Sequence, residues 1–177
     1  MEDQSLTRLT VLGGGVLGSQ IAWHSAFKGK QVKLYDLYEE GLNSCRAAHE
    51  RYEDIYRKEL GASDGEIAAT RERLDFTTDL AAAVAEADIV IEAVPEVPEV
   101  KKQTYSEMAP LLPSYTLLAT NSSTVLPSDF ALDTGRPEKY GALHFANLLW
   151  SMNSGEIMGH VGTSEHTLTA VTRFAIE

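Results

Sequence analysis

The sequence has a single cysteine, Cys45, and no long hydrophobic run. One thiol excludes an internal disulfide and any zinc site that needs several thiolates, which is typical of proteins of the reducing cytosol. No apolar run approaches the roughly 18 residues that a membrane span needs. The polar, acidic start of the chain is unlike a signal peptide. These absences predict a cytoplasmic protein that does not bind a membrane.

Basic residues are also scarce, since 15 Lys and Arg stand against 26 Asp and Glu, which gives a net charge of −11. An acidic surface repels nucleic-acid phosphates and anionic lipid headgroups at long range, so nucleic-acid binding is disfavoured. Hydrophobic residues make up 44% of the 177 residues. That content is sufficient for a hydrophobic core, and we expect residues 1–177 to form one domain.

Short apolar strands alternate with helical patterns along the chain. Strands are predicted at residues 7–12, 32–35, 88–94, 116–119, 140–145 and 155–158. Helices are predicted at 16–27, 39–60, 63–73, 80–85 and 99–108, and from 165 onward without a stop signal. Alternation at this spacing indicates βαβ units, and therefore an α/β fold with a mostly parallel sheet flanked by helices.

A glycine-rich turn, GGGVLG, follows the first predicted strand and opens the first predicted helix. It fits the G-x-G-x-x-G pattern of dinucleotide-binding loops, in which the three glycines permit a tight turn, close approach to a pyrophosphate, and tight helix–strand packing. The helix N-terminus adds free N–H groups that attract an anion. The turn predicts a Rossmann-type, doubly wound domain. The residues assigned to cofactor contact here are Gly13, Gly15, Val16, Leu17 and Gly18.

Asp36 ends the second predicted strand, at the distance from the glycine turn that a dinucleotide-binding unit requires. A carboxylate at this place accepts hydrogen bonds from the hydroxyls of an adenosine ribose and repels a 2′-phosphate. NAD is therefore predicted as the cofactor in preference to NADP. The alternative is a plain glycine turn, with Asp36 as a helix cap.

Three further segments make the pattern more specific. They are DIVIEAVPE at 88–96, ATNSST at 119–124, and HFAN at 144–147 followed by Glu156. With the glycine turn, their order and spacing resemble the NAD-binding domain of the 3-hydroxyacyl-CoA dehydrogenases over nearly the whole chain. The resemblance implies an NAD-dependent oxidoreductase of fatty acid metabolism and β-oxidation, which interconverts L-3-hydroxyacyl-CoA and 3-oxoacyl-CoA.

The resemblance makes His144 the catalytic base and Glu156 its carboxylate partner. The chemistry agrees, because removing a hydride from a secondary alcohol requires its hydroxyl proton to leave as well, and a histidine accepts protons near neutral pH. A carboxylate on the other ring nitrogen fixes the tautomer and stabilises the imidazolium. The alternative for a single histidine is a surface residue or a hydrogen-bonded core residue.

Four more residues have roles that the resemblance implies. Ser123 corresponds to a serine that hydrogen-bonds the reacting oxygen of the substrate beside the nicotinamide, and Asn147 to an asparagine near the nicotinamide. Glu96 and Lys101 correspond to cofactor contacts, with Glu96 at a ribose. The alternatives are a loop cap for Ser123 and a solvated helix face for Lys101.

The remaining titratable side chains are given no role. No metal site is predicted, since hydride transfer to NAD needs none and the histidines match no ligand spacing. His24 and His49 are expected to face solvent from their helices. Cys45 is expected to be a buried or idle thiol.

The chain departs from the family pattern just after His144. The family usually reads His-Phe-Phe-Asn-Pro and then an apolar run, whereas this chain has Ala146, Leu148 and a more polar stretch at 150–155. The family's coenzyme A contacts on the second helix have no clean match. Two alternatives therefore stay open: a dehydrogenase of a free hydroxy or sugar acid such as gulonate, and a dinucleotide-binding module without turnover of its own.

In the family, a helical C-terminal domain follows the NAD-binding domain, closes over the substrate and forms most of a dimer interface. The resemblance implies that residues 1–177 are the NAD-binding half, without that helical domain. It also implies a full-length homodimer that acts on a small molecule, with an acyl-CoA as the expected substrate.

Overall fold

The computed structural model describes residues 6–177, so the first residues, on which the expectation of no signal peptide depends, lie outside that range. One sheet organises the chain. Its seven strands are β1 (Arg8–Leu12), β2 (Gln31–Tyr35), β3 (Leu74–Thr77), β4 (Ile89–Glu92), β5 (Leu117–Thr120), β6 (Tyr140–Phe145) and β7 (Gly155–Met158). They lie in the order β3-β2-β1-β4-β5-β6-β7. All neighbours pair in parallel except β6 and β7, which are antiparallel.

The described chain also forms six α-helices. They are α1 (Val16–Phe27), α2 (Glu39–Glu59), α3 (Asp64–Glu72), α4 (Leu80–Val84), α5 (Pro98–Met108) and α6 (Glu165–Ile176). Successive strand residues point to opposite faces of the sheet. In β4, Ile89 and Ile91 pack with α1 and α6 in one buried cluster, whereas Val90 packs with α4 and α5 in another. The Rossmann-type, doubly wound α/β fold is confirmed.

Side-chain caps begin several helices where the sequence places them. Ser63 starts α3 with a reciprocal capping box, in which its hydroxyl accepts the N–H of Glu66 and the Glu66 carboxylate accepts the N–H of Ser63. Asp79 starts α4 by accepting the N–H of Ala82. Within residues 6–177, no helix has both the length and the apolar character that crossing a membrane requires.

The edge strand β3 was not among the predicted elements. Its four residues, LDFT, are all at least partly exposed, because β3 has a neighbour on one side only and packs little of its surface into the core. The four residues do alternate between apolar and polar, but four is the shortest length over which alternation indicates a strand, so the sequence signal for β3 is weak.

The parallel strands bring the loops that follow them to one edge of the sheet. The glycine turn follows β1, Asp36 follows β2, and residues 93–96 and 121–124 follow β4 and β5. The chain connections diverge between β1 and β4, and a crevice at such a point is where doubly wound folds bind ligands. All the candidate site residues lie on or beside this edge.

Candidate active site

Of the three glycines that the G-x-G-x-x-G pattern specifies, two lie in crowded positions and one in an open position. Gly13 has a positive φ of 104°, and a Cβ there would lie 2.5 Å from the carbonyl oxygen of Ala93. A Cβ on Gly18 would lie 1.9 Å from the carbonyl oxygen of Gly13. At Gly15, no other atom lies within 4 Å of the position that a Cβ would occupy. The turn thus leaves space for a pyrophosphate where the loop pattern requires it.

Asp36 is held in place by the backbone around it. Its Oδ2 accepts the N–H of Gly14 at 2.8 Å, and its Oδ1 accepts the N–H of Tyr38 at 3.0 Å. A groove of about 490 Å³ opens beside this carboxylate, and its walls include Tyr38, Leu80 and Val94. The groove and the carboxylate fit the adenosine half of NAD, because apolar walls suit an adenine ring and the carboxylate suits a ribose.

Glu96 lies where the loop after β4 meets the loop after β5. Its Oε1 accepts hydrogen bonds from the hydroxyls of Ser122 and Thr124, and its Oε2 lies 3.1 Å from Lys101 Nζ. Partial burial by itself raises the pKa of Glu96, but these hydrogen bonds and the Lys101 charge outweigh it and lower the pKa to about 2. Glu96 is therefore ionised at neutral pH and keeps 39% of its side chain exposed.

Lys101 is buried, with 1% of its side chain exposed, so the solvated helix face weighed for it is wrong. Its ammonium donates to both carboxylate oxygens of Glu92, at 2.7 and 2.9 Å. Glu92 also accepts hydrogen bonds from the hydroxyls of Tyr105 and Thr120, each at 2.8 Å. Lys101 thus supports the cofactor loop through Glu96, and a direct contact with the cofactor stays a prediction.

His144 and Glu156 face each other across the antiparallel pair β6–β7. His144 Nδ1 and Glu156 Oε2 are 2.9 Å apart. A carboxylate at Nδ1 favours a proton on that nitrogen and leaves Nε2 as the acceptor. The His144 side chain is 23% exposed, so it is within reach of a ligand. The structure brings the two residues together, and their catalytic role stays a prediction.

The loops after β5 and β6 are tied to each other and to α1. Ser123 is exposed in the loop after β5. The side-chain oxygen of Asn121 accepts the N–H of Phe145 at 2.8 Å, and that of Asn147 accepts a hydrogen bond from Gln20 at 3.4 Å. Sequence reasoning missed Gln20 and Asn121. The one available sequence signal was for Gln20, a glutamine between the apolar positions of α1, the helix that follows the glycine turn.

Two histidines lie elsewhere than expected. His49 is 4% exposed, with its Nε2 2.9 Å from the carbonyl oxygen of Ser19, and burial lowers its pKa to about 4. His24 is half-buried, its Nδ1 lies 2.6 Å from the Tyr56 hydroxyl, and desolvation lowers its pKa to about 4. Both fill the α1–α2 contact, so the expectation that they face solvent was wrong. Cys45 is buried, and burial raises the pKa of its thiol to about 12.

Among the residues that the structure describes, no group of three or more His, Cys, Asp and Glu side chains is arranged to hold a metal ion. The polar groups that the structure brings to the sheet edge are the backbone N–H groups at the N-terminus of α1, the Asp36 carboxylate after β2, and the His144–Glu156 pair.

Residues 8–177 match the model of the 3-hydroxyacyl-CoA dehydrogenase NAD-binding domain. The chain belongs to this family. NAD is therefore the cofactor of the domain, in agreement with the open position at Gly15 and the carboxylate of Asp36. The family match extends over nearly the whole chain. It confirms the predicted assignment to the NAD-binding domain of the 3-hydroxyacyl-CoA dehydrogenases.

Three relatives show how this domain is used elsewhere. The 3-hydroxyadipyl-CoA dehydrogenase of Escherichia coli K12 is 36% identical over 158 residues, which are 88% of this chain and 33% of that protein. The 3-hydroxybutyryl-CoA dehydrogenase of E. coli K12 superimposes with a TM-score of 0.92 and 29% identity, over 98% of this chain and 36% of that one. A diketoreductase with dual catalysis of dicarbonyl compounds superimposes with a TM-score of 0.95 and 43% identity, over 98% of this chain and 62% of that one.

The chain spans a third of the curated relative and less than two thirds of either solved structure. What the comparisons establish for residues 8–177 is therefore the family, the fold and the cofactor.

Proposed function

We propose that this domain is part of an NAD-dependent oxidoreductase that interconverts L-3-hydroxyacyl-CoA and 3-oxoacyl-CoA, with His144 and Glu156 as its acid/base pair. The observation that carries the proposal is the 2.9 Å contact between His144 Nδ1 and Glu156 Oε2 on paired strands. Two relatives named for hydroxyacyl-CoA substrates support the class of substrate.

The proton of the substrate hydroxyl is the part of the reaction that these residues handle. In the oxidation, His144 Nε2 accepts that proton as the C–H bond at C3 breaks and the C–O single bond becomes a double bond. Bound NAD would supply the acceptor for the hydride that leaves C3. Glu156 balances the charge of the imidazolium that forms. In the reduction, the imidazolium returns its proton to the carbonyl oxygen.

The other candidate residues hold the reactants in place. The glycine turn and Asp36 bind the pyrophosphate and the adenosine ribose, and Glu96 contacts a ribose. Ser123 donates to the reacting oxygen, and its exposure in the loop after β5 makes it accessible. Asn147 lies beside the nicotinamide.

The test is acetoacetyl-CoA-dependent oxidation of NADH by the full-length protein and its His144→Ala variant. Loss of the proton acceptor is expected to lower kcat by roughly 10²–10⁴-fold. The matched control is His166→Ala, because His166 is exposed on α6, away from the pair. Turnover of His144→Ala at the wild-type rate would rule out the assigned mechanism.

A second candidate function keeps the fold and the pair but changes the substrate to a free hydroxy acid or sugar acid. The altered 146–155 segment, which follows His144 in the chain, favours it. Comparing kcat/KM on 3-hydroxybutyryl-CoA and on L-gulonate separates the two. A strong preference for the CoA ester excludes the free acid.

We also infer that the full-length protein is a cytoplasmic homodimer and that residues 1–177 alone bind NADH but turn over little. A fluorescence titration with NADH and a turnover assay on residues 1–177 test the second statement. Full activity of this domain on its own would contradict it. Light scattering of the full-length protein tests the dimer.

A further inference from the structure

The turn at residues 147–149 follows a path that the family's usual proline cannot take. Leu148 stands where the family pattern has proline, and it has a positive φ of 66°. Proline is confined to a φ near −65° and carries no N–H. The turn after β6 is therefore built differently from the family pattern, in conformation and in hydrogen bonding.

Gln20 is the side chain that holds this turn. Its Oε1 accepts the N–H of Leu148 at 2.8 Å and that of Leu149 at 3.4 Å, and its Nε2 donates to the side-chain oxygen of Asn147 at 3.4 Å. Gln20 is 5% exposed. A buried amide is costly unless its hydrogen bonds are made, and here one amide makes them with three consecutive residues.

The far side of the turn is anchored separately. Leu149 is buried in the core that α1 shares with the sheet. The ring of Trp150 packs on Tyr52 and Tyr56 of α2, with ring centroids 5.5 and 6.3 Å away. Loss of the Gln20 hydrogen bonds would therefore free the N–H of Leu148 and the side chain of Asn147, while the segment stays docked through its apolar side chains and through the Leu148 carbonyl, which accepts the N–H groups of Ser151 and Met152.

From these contacts we infer that Gln20 is a positioning residue, which sets the place of Asn147 and Leu148 relative to the cofactor helix. Gln20 lies two residues after Gly18, on the same helix that begins at the pyrophosphate turn. The turn that it holds begins at Asn147, three residues after His144 and two residues after Phe145, which ends β6. One side chain thus joins the cofactor half of the site to the half that carries the acid/base pair. The inference depends on the proposed function, because its consequence is measured as turnover.

The first experiment compares Gln20→Leu, which keeps the volume and removes every hydrogen bond, with Gln20→Glu, which keeps an acceptor for the two N–H groups. In the full-length protein, kcat of Gln20→Leu is expected to fall about tenfold, and Gln20→Glu to recover most of it. The Kd for NADH is expected to change less than about twofold in both, because the glycine turn and Asp36 are untouched. Gln31→Leu, exposed at the start of β2, is the control.

The second experiment changes the partner. Leu148→Gly keeps the N–H and suits a positive φ, so it is expected to retain kcat. Leu148→Pro has no N–H and cannot adopt a positive φ, so its kcat should fall as much as that of Gln20→Leu. Because both changes remove the same contact, the double variant Gln20→Leu/Leu148→Pro is expected to be no slower than the slower single variant. Independent losses that multiply to about a hundredfold would overturn the inference.

The third measurement separates this inference from the proposed function. Amide hydrogen exchange at Leu148 is expected to be slow in the wild type and fast in Gln20→Leu, and this readout requires no substrate. Absence of turnover by the wild type on all the substrates named above would speak against the proposed function alone. An unchanged exchange rate of the Leu148 amide in Gln20→Leu would overturn the inference. An unchanged kcat for folded Gln20→Leu would also overturn it, because Gln20 would then be a merely structural residue.

Discussion

The backbone of Gly41 lies directly against the carboxyl group of Asp36. A Cβ on residue 41 would be 2.5 Å from Asp36 Cγ and 2.6 and 2.7 Å from its two oxygens. Gly41 is in the first turn of α2, the helix that follows β2. Any side chain at this position would displace the Asp36 carboxylate, so the position requires glycine.

Gly41→Ala is therefore expected to move Asp36 and weaken cofactor binding. A displaced carboxylate loses its hydrogen bonds with the ribose, which predicts a Kd for NADH about tenfold higher in a fluorescence titration. The matched control is Gly65→Ala in α3, where the nearest atom to the new Cβ is 3.9 Å away. That variant should bind NADH normally and gain up to about 1 kcal/mol of stability, since alanine favours a helix. Equal affinity of the two variants would disprove the role of Gly41.

The glycine turn yields a paired prediction for the cofactor and the fold. Gly15→Ala is expected to keep the melting temperature, because its Cβ meets nothing, and to lose NADH binding, because it fills the space for the pyrophosphate. Gly18→Ala is expected to be destabilised by about 2–3 kcal/mol, since its Cβ overlaps the Gly13 carbonyl. Thermal unfolding and NADH titration of both variants provide the check. Equal loss of stability in both would be inconsistent with this geometry.

Lys101 and Glu92 give a prediction about stability. Lys101→Met leaves the buried Glu92 charge without its ammonium, and breaking such a pair costs about 3–5 kcal/mol. Lys102→Met, on the exposed side of the same helix, should change the free energy of unfolding by less than about 0.5 kcal/mol. Urea unfolding measures both variants. A small effect of Lys101→Met would show that Glu92 finds other compensation.

His49 gives a prediction about pH. Its pKa is lowered by burial to about 4 from an ordinary value of 6.5, so the unfolded chain binds the proton more readily. The neutral, buried imidazole of His49 therefore favours the folded state. This stabilisation is fully present above pH 6.5 and is lost as the pH falls toward 4. Between pH 7 and pH 5, the loss lowers the free energy of unfolding by about 2 kcal/mol.

The test is urea unfolding of His49→Gln at pH 7 and pH 5. The variant should lose about 2 kcal/mol less than the wild type on acidification, whatever its stability at pH 7. Gln31→Leu is the control, because Gln31 is exposed at the start of β2 and carries no titratable group. An unchanged pH dependence in His49→Gln would mean that His49 does not titrate with folding.

Local signals in the sequence were sufficient for most of the fold. Helix α1 has the predicted bounds, and α3 and α4 match their predicted ranges to within one residue at each end. These features depend on neighbours in the chain, so short-range chemistry determines them. The strand order and the antiparallel direction of β7 depend on long-range pairing, which no local pattern encodes.

The distinction between local and long-range determinants also applies to the candidate site. His144 and Glu156 were paired from a motif, and the register of β6 and β7 places them opposite each other. The burial of Lys101 was not predictable from a charged helix, because its partner Glu92 lies nine residues away on a strand. Nor was the burial of His49, which depends on how α1 and α2 pack.

The packing of α1, α2 and the turn after β6 makes the protein its own optical probe. The chain has two tryptophans, Trp23 and Trp150, and the rings of both contact Tyr56, with centroids 6.0 and 6.3 Å away. Trp23 is deeply buried in α1, whereas Trp150 belongs to the segment between the two residues of the acid/base pair. Emission from Trp150, isolated in a Trp23→Phe variant, would therefore report a shift of that segment without any attached label.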